Sequence, residues 1–544
     1  MAALDAPAFS RVRPGATWAV AIAVSLTALV VYRATMLPGL GAWDTAEAQT
    51  VPTILGTMHP TGFPAYVVLG WITTTLLAPF AAPATLMNFL SALLVAFAVG
   101  TGVLVMRRLG APPLLAGAAG LAFALTPIVW TIALAADAHA LHLALVVLIT
   151  LGLLRWEALV RAWRADPDDE TLRRSADRAI VGTAAIFGVA VANHALSLLL
   201  VPAIGLFVLA TDWRVLRRPR LIVSALGACL GVAALLYLQL PLRAGPFRAP
   251  LVYGSPDTWE GFWEIVLGQQ FQGDIAGPLQ DLPGKLASLY ELAEAQFGVL
   301  LLLLPAAFLV VAVRYPRYAL FSATAVLVTC FFAASYANAR IDRYYLGPVF
   351  FAWRWLAAFG GAIAARILGG DASVDPDGVD DPDAAESEAL AGAPVGPPAR
   401  AVVAVSLALG AALLVPTAME LRDRWAAADT SRVTWVHDWM DEAFDAMEED
   451  AVVVSWWSYS TPLWYGQHVE GRRPDVFIVD DRTRIDEDLG EVIDVIEANL
   501  GIRPVYLIRQ FESEIAELAA HYTIEPVGRP GNVYRVTGRQ ETSP

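Results

Sequence analysis

The feature that most constrains the fold is a series of apolar runs, each close to the length that crosses a lipid bilayer. A helix needs about 20 apolar residues to span the hydrocarbon core. The chain has 544 residues, of which 57% are hydrophobic and 16% charged, whereas soluble proteins carry about 25% charged residues. Its mean hydropathy is +0.54. The sequence therefore predicts a polytopic α-helical membrane protein.

The apolar runs predict about eleven transmembrane helices. They are Trp18–Leu37, Leu86–Val105, Pro113–Leu134, Ala138–Leu154, Ala179–Ala192, Leu196–Ala210, Leu221–Leu240, Phe297–Val313, Tyr318–Tyr336, Tyr345–Leu368 and Ala401–Thr417. A further run, Ala65–Phe80, is short, contains three consecutive threonines and is flanked by prolines. We expect Ala65–Phe80 to lie flat at the outer interface rather than to span.

The distribution of arginine predicts the orientation, because short cytoplasmic loops are enriched in Lys and Arg. A cytoplasmic N-terminus puts all the basic clusters inside, provided that 65–80 does not span and that 179–210 is a hairpin broken at Asn193-His194. These clusters are Arg107/Arg108, Arg155 to Arg178, Arg214 to Arg220, and Arg314/Arg317. The region after the last span is then extracytoplasmic.

In this orientation the polar residues at span ends gather on the outer face. They are Asp44, Glu47, His59, Asp137, His139, His142, Asn193, His194 and the stretch 338–343. A transporter or flippase of lipid-linked sugars would place some polar groups at mid-depth, and a non-catalytic scaffold would need no such cluster. The spans are apolar in the middle, which favours chemistry at the outer interface.

The composition also predicts domain boundaries. Residues 371–399 are acidic and rich in Pro, Gly and Ala, which indicates a disordered cytoplasmic linker. After the last span, short apolar stretches alternate with helix-like segments, which indicates a small soluble α/β domain. We predict a transmembrane domain (1–370, with outer loops 38–85 and 241–294), the linker (371–399), a last helix (400–418) and an extracytoplasmic α/β domain (419–544).

Charge and cysteine content exclude some functions. The formal charge of −15 argues against nucleic acid as a partner. Both cysteines, Cys229 and Cys330, lie inside apolar runs, so the outer segments can form neither disulfides nor cysteine-ligated zinc sites.

Several motifs occur together in a specific order. The first is Trp43-Asp44-Thr45-Ala46-Glu47, followed by His59 to Tyr66. The others are Trp130 to Leu141, Ala192 to Leu196, Leu236 to Arg243, Asn338 to Pro348, Thr461 to Tyr465 and Arg473 to Val476. This ordered set resembles the GT-C glycosyltransferases, and within them the multispanning family related to a protein O-mannosyltransferase.

The resemblance implies a GT-C-like fold and an enzyme that transfers a sugar, hexosyl or mannosyl, from a polyprenyl-phosphate carrier to an acceptor hydroxyl on the outer face. It gives Asp44 the role of the base and implies inverting attack. Asp137 is the second acidic candidate, although the family more often has Glu followed by Val-Tyr where this chain has Asp137-Ala138-His139. The acceptor is a protein, a lipid or a polysaccharide.

The chemistry of such a transfer suggests further site residues. A lipid phosphate is already a leaving group, so the protein must supply a base and cations for the phosphate. Glu47 is expected to assist Asp44 or to orient His59, and Arg243, Arg340 and Arg343 are the candidate cations. Other candidate substrate-binding residues are His59, His139, Asn193, His194, Asp342 and Tyr345. The acids and histidines would allow a divalent cation, but the sequence has no metal-ligand spacing, and no cofactor is predicted.

Overall fold

The structure is a computed structural model that describes residues 14–275, 280–336, 340–369, 399–529 and 531–540. Before the acidic segment the chain is almost entirely helical. The α-helices there are α1 Pro14–Thr35, α2 Asp44–Ile54, α3 Pro64–Leu77, α4 Pro83–Arg108, α5 Pro113–Ala124, α6 Pro127–Ile132, α7 Ala138–Ala165, α8 Glu170–Asn193, α9 Val201–Asp212, α10 Pro219–Tyr237, α11 Gln239–Ala244, α12 Trp259–Leu267, α13 Leu282–Phe297, α14 Leu304–Arg314, α15 Pro316–Ser335 and α16 Leu346–Ile367. Short 3-10 turns at Ala195–Leu200, Trp213–Arg217, Gln269–Asp274, Gly298–Leu303 and Ile341–Tyr345 join some of these helices.

Within the described residues, ten helical stretches are long and apolar enough to cross a membrane. The predicted polytopic α-helical fold is therefore confirmed. Helix α3 is apolar but has only 14 residues, consistent with the expectation that it does not span. The predicted linker 371–399 lies outside the described residues, apart from Ala399, which begins a long helix, α17 (Ala399–Ala428).

One predicted span, Pro113–Leu134, differs from the structure. Helix α5 ends at Ala124 and a separate short helix, α6, begins at Pro127. Thr126 between them has an extended backbone, with φ −68° and ψ 143°, because the residue before a proline is disfavoured in the helical region. The interruption occurs inside an apolar run, where hydropathy alone gives no sign of it.

The predicted break at Asn193-His194 is present. Helix α8 ends at Asn193, and the chain continues through a 3-10 turn into α9. Helix α8 begins at Glu170, earlier than the predicted Ala179, because the Asp169 side chain accepts hydrogen bonds from the first backbone N–H groups of the helix.

Helices α4, α7 and α16 form the centre of the bundle, whereas α1 and α10 lie at its periphery. In the most apolar stretch of each central span, 67 to 78% of the residues are buried. The share is 22% in α1 and 17% in the span that contains α10. Small residues allow α1 to pack closely on the central helix α4: a Cβ on Gly100 of α4 would lie 2.8 Å from the Cβ of Ser25 in α1. Close helix approach at glycine is the usual packing mode in membranes.

The C-terminal region after α17 is an α/β unit. Its helices are α18 Trp435–Asp445, α19 Trp457–His468, α20 Asp481–Asp486, α21 Val492–Asn499 and α22 Glu512–Ala519, and its strands are β1 Val452–Ser455, β2 Phe477–Asp480, β3 Val505–Ile508, β4 Tyr522–Pro526 and β5 Val533–Arg539. The strand order is β2-β1-β3-β5-β4. Strands β2, β1 and β3 are parallel, and β5 is antiparallel to both β3 and β4. Because α17 continues to Ala428, this unit begins about ten residues later than the predicted boundary at 419.

The α/β unit packs directly on the first loop of the transmembrane region. Leu40, Ala46 and Ala84 belong to the same buried cluster as core residues of the α/β unit, including Met440 and Tyr465. The backbone N–H of Ala84 also donates to the Tyr465 hydroxyl at 3.2 Å. The first loop is therefore held between the membrane helices and the α/β unit.

Candidate active site

The first loop leads into α2, and the first turn of this helix carries two carboxylates. Asp44 is the first residue of the helix and Glu47 lies one turn further on. The positive end of the helix dipole favours negative charge in this first turn. Trp43 precedes the helix with a φ of 56°, a region that bulky L-residues rarely adopt, so the local packing must hold Asp44 in place.

Two buried amides hold the first loop against the turn before α7. Gln49 accepts from the Gly41 N–H at 2.9 Å and donates to the Asn88 side chain at 2.8 Å. Asn88 donates to the Leu37 carbonyl at 2.9 Å and accepts from the Ala136 N–H at 2.9 Å. This network fixes the loop before Asp44 relative to the turn that carries Asp137. No pattern in the sequence singles out Gln49 or Asn88.

Arg343 joins the two predicted acids. Its Nη2 lies 2.7 Å from Asp44 Oδ2 and its Nη1 lies 3.2 Å from Asp137 Oδ2. The side chains of Arg343 and Asp137 are 13% and 14% exposed, whereas that of Asp44 is 42% exposed. Asp44 is therefore the carboxylate of this triad that a substrate reaches most readily.

Glu47 binds His59 and does not itself line the cavity. Its carboxylate accepts the backbone N–H of His59 at 2.9 Å and pairs with the Nδ1 atom of the same residue. Glu47 is almost completely buried. Of the two roles predicted for Glu47, the structure shows the orientation of His59.

The electrostatics of the triad favour charged side chains. Burial alone would raise the pKa of Asp44, but the positive charges of His59 and Arg343 outweigh it and lower that pKa. The pKa of Asp137 is also lowered, since His139 and Arg343 outweigh the effect of burial. Burial alone would lower the pKa of His59, but the Glu47 carboxylate raises it above the ordinary value. Asp44 and Asp137 are therefore ionised at neutral pH.

These residues lie around one cavity of about 1090 Å³. Its polar end carries Asp44, Asp137 and Arg343, and its walls are largely aromatic and apolar. The other residues that line it and matter for the argument are His59, His139, His194, Leu198, Tyr253, Gln270, Phe271, Phe332, Ile341, Tyr344, Trp456 and Trp457. Trp456 and Trp457 come from the α/β unit, so that unit forms part of the cavity wall.

The cavity contains half of the twelve predicted site residues. Asp44, His59, Asp137, His139, His194 and Arg343 line it. Arg243 instead donates to the Leu55 carbonyl at 2.8 Å, at the end of α2. Asn193 donates to the Ala138 carbonyl at 3.1 Å, and Arg340 lies 3.7 Å from Asp342 in a half-exposed pair. Tyr345 is buried beside the cavity without being part of its lining.

The aromatic wall was the part of the site that sequence reasoning missed. Tyr253, Phe271, Trp456 and Trp457 were not predicted, although a Trp-Trp pair directly after a buried strand is a signal that could have found the last two. Among the described residues, no group of three or more His, Cys, Asp or Glu side chains is arranged to hold a metal ion.

The fold is similar to that of two GT-C enzymes. ArnT from Cupriavidus metallidurans, whose crystal structure is bound to undecaprenyl phosphate, superposes with a TM-score of 0.54 at 16% identity, over 95% of this chain and 97% of that chain. The oligosaccharyltransferase of Archaeoglobus fulgidus, tethered to an acceptor peptide, superposes with a TM-score of 0.53 at 14% identity, over 89% of this chain and 68% of that chain. The chain therefore has a GT-C-like fold.

The comparison with protein families is more specific. Residues 44–217 match the family described as the N-terminal domain of the protein O-mannosyl-transferase TMEM260. The resemblance predicted from the ordered motifs is thereby confirmed, and the matched segment begins at Asp44 itself. No curated protein sequence matches the chain.

Proposed function

We propose that this protein is a membrane glycosyltransferase that moves a sugar from a polyprenyl-phosphate carrier to an acceptor hydroxyl, with Asp44 as the general base. The observation that carries the proposal is the exposed carboxylate of Asp44 at the polar end of the cavity, bound to Arg343. An ionised carboxylate accepts the proton of the acceptor hydroxyl as that oxygen attacks the anomeric carbon. We therefore expect direct, inverting displacement.

The donor phosphate needs positive charge near the departing oxygen. Arg343 retains N–H groups beyond the two that contact Asp44 and Asp137, because a guanidinium has five donors. His59 supplies a second positive charge in its protonated form, which Glu47 favours. These two residues stabilise the leaving phosphate, whereas Arg243 and Arg340 lie away from the cavity.

The apolar wall suits the isoprenoid part of such a donor. Leu198 is 50% exposed and lines the cavity together with Phe332 and Ile341. The structurally similar ArnT is bound to undecaprenyl phosphate in its crystal structure, and the matching family is described as a protein O-mannosyl-transferase. Mannose on a polyprenyl phosphate is therefore the first donor to test.

The proposal includes an orientation in the membrane. A cytoplasmic N-terminus puts Arg155, Arg174, Arg218 and Arg317 inside. The cavity and the α/β unit then face the extracytoplasmic side, where the acceptor is met.

The test is a transfer assay with purified protein in lipid nanodiscs. The donors are polyprenyl-phosphate mannose and other polyprenyl-phosphate hexoses, and the acceptors are extracytoplasmic proteins, lipids and polysaccharides supplied in turn. Release of polyprenyl phosphate is measured for the wild type, for Asp44→Asn and for the matched control Asp342→Asn. We expect Asp44→Asn to lower turnover by roughly 100-fold or more and Asp342→Asn to leave it nearly unchanged, because Asp342 does not line the cavity. Full turnover by a folded Asp44→Asn protein would remove Asp44 from its role.

A further inference from the structure

We infer that His139 and His194 together bind one hydroxyl group of the donor sugar. The imidazole of His139 accepts a hydrogen bond from this hydroxyl, and the imidazole of His194 donates a hydrogen bond to the hydroxyl oxygen. The inference rests on the proposed function and names two residues that contact the sugar. It also gives Asp137 a positioning role, holding the His139 ring, in place of the catalytic role predicted from the sequence.

The first observation is an incomplete hydrogen bond at the cavity. His139 Nε2 is buried and has no hydrogen-bond partner among the residues that the structure describes, although its ring lines the cavity. A buried polar atom without a partner is rare and costs free energy until a ligand or water satisfies it. His139 Nε2 therefore lies where a ligand group would complete the structure.

Asp137 determines what His139 Nε2 can bind. Asp137 Oδ1 lies 2.8 Å from both the backbone nitrogen and the Nδ1 atom of His139. Asp137 is ionised and can only accept, so Nδ1 carries the proton. In the neutral ring Nε2 then has a free lone pair and requires a donor.

His194 has the opposite tautomer. Its Nδ1 accepts from the Leu196 N–H at 3.0 Å, so the proton of the neutral ring lies on Nε2. The ring stays neutral because burial holds the pKa of His194 well below its ordinary value. His194 thus has a hydrogen-bond donor, and its ring also lines the cavity.

The two rings are neighbours at the cavity. Their centroids lie 4.7 Å apart in an edge-to-face arrangement, so the rings are in direct contact, and the hydroxyl is placed beside the pair, where it bridges the two Nε2 atoms. A hydroxyl both donates and accepts, whereas a phosphate diester has no proton to donate. The pair therefore selects a sugar hydroxyl and not the phosphate. Since His139 Nε2 is covered in this structure, the proposal includes a movement of the side chains around it when the sugar binds.

The experiment compares binding of polyprenyl-phosphate mannose with binding of bare polyprenyl phosphate, by native mass spectrometry of the full chain in nanodiscs. The test variant is His139→Phe, which keeps a flat ring but loses the acceptor. The matched control is His142→Phe, because His142 lies one turn further along the same helix, is equally buried and does not line the cavity. His139→Gln is a second variant, because its amide oxygen can replace the lost acceptor.

We expect His139→Phe to bind the mannosylated lipid roughly tenfold more weakly than the wild type, with unchanged binding of the bare lipid. His139→Gln should keep most of the wild-type preference, and His142→Phe should keep all of it. The inference is overturned if the wild type and His139→Phe show the same preference for the mannosylated lipid over the bare lipid. It is also overturned if His139→Phe weakens the binding of both lipids to the same degree. Failure of the wild type to bind either lipid would instead overturn the proposed function itself.

Discussion

The candidate active site is built from a few charged side chains that the sequence shows as isolated polar residues. Asp44, Asp137 and Arg343 could be predicted because charge near a bilayer is costly and therefore seldom accidental. Their direct contact could not be predicted, since it joins residues about 300 positions apart. Arg243 had the same signal as Arg343, and only the fold shows that Arg243 binds backbone carbonyls instead.

The bridge made by Arg343 gives a residue-scale prediction. Arg343→Lys keeps the charge, but a lysine ammonium lacks the planar fork that reaches both carboxylates. We expect turnover to fall by roughly 100-fold, with Arg343→Ala still lower because two carboxylates are left without a counter-ion. Turnover in nanodiscs measures the effect, and Arg340→Ala is the control. Wild-type turnover by Arg343→Lys would show that bridging is not required.

The pairing of His59 with Glu47 gives a prediction about pH. The pKa of His59 is raised above its ordinary value of 6.5, so the stabilisation from its charge is fully present below pH 6.5. That stabilisation is lost as the pH rises through the pKa of the folded state. The melting temperature of the wild type should therefore decrease as the pH rises above 6.5 through that pKa, and His59→Gln should show a smaller decrease. Parallel melting curves of the two proteins would contradict the pairing.

At the scale of elements, α2 holds Asp44 and Glu47 in place because both of its ends are fixed. Arg243 donates to the carbonyls of Leu55 and Ile54 at its C-terminal end. The sequence showed where apolar helices lie, because length and hydropathy suffice for that. It did not show the interruption at Pro127, because the effect of that proline on Thr126 lies inside an apolar run, where hydropathy gives no sign of it.

Removal of the cap on α2 should weaken the fold without changing substrate chemistry. Arg243→Ala leaves carbonyl groups at the end of α2 without their charged partner, which costs about 1.5–3 kcal/mol. We expect a lower melting temperature and a lower fraction of active protein, but an unchanged KM for the lipid donor per folded molecule. A large increase in that KM would restore the phosphate-binding role predicted for Arg243.

At the scale of the whole molecule, the α/β unit completes the cavity. Trp457 lies 5.8 Å from His59, ring to ring, and lines the cavity with Trp456. The sequence predicted the alternation of strands and helices in this unit. It could not predict that the residues following β1 face the membrane site, since that depends on how the unit packs on the first loop.

The contribution of the α/β unit can be separated from its stability. Trp457→Ala should lower turnover by roughly tenfold through the lost cavity wall, with little change in melting temperature because the side chain is only half-buried. Trp435→Ala is the control, since Trp435 is exposed in the same unit and lies outside the cavity. Equal turnover of the two variants would show that this wall does not contact substrate.

The most direct test of the central claim is the mass of outer-face glycans and glycoproteins in cells that carry the wild type, Asp44→Asn or Asp342→Asn at equal membrane levels. A transferase that uses Asp44 predicts one hexose fewer on a defined outer-face acceptor in Asp44→Asn cells, and wild-type masses in Asp342→Asn cells. Identical glycan masses in all three would contradict the account.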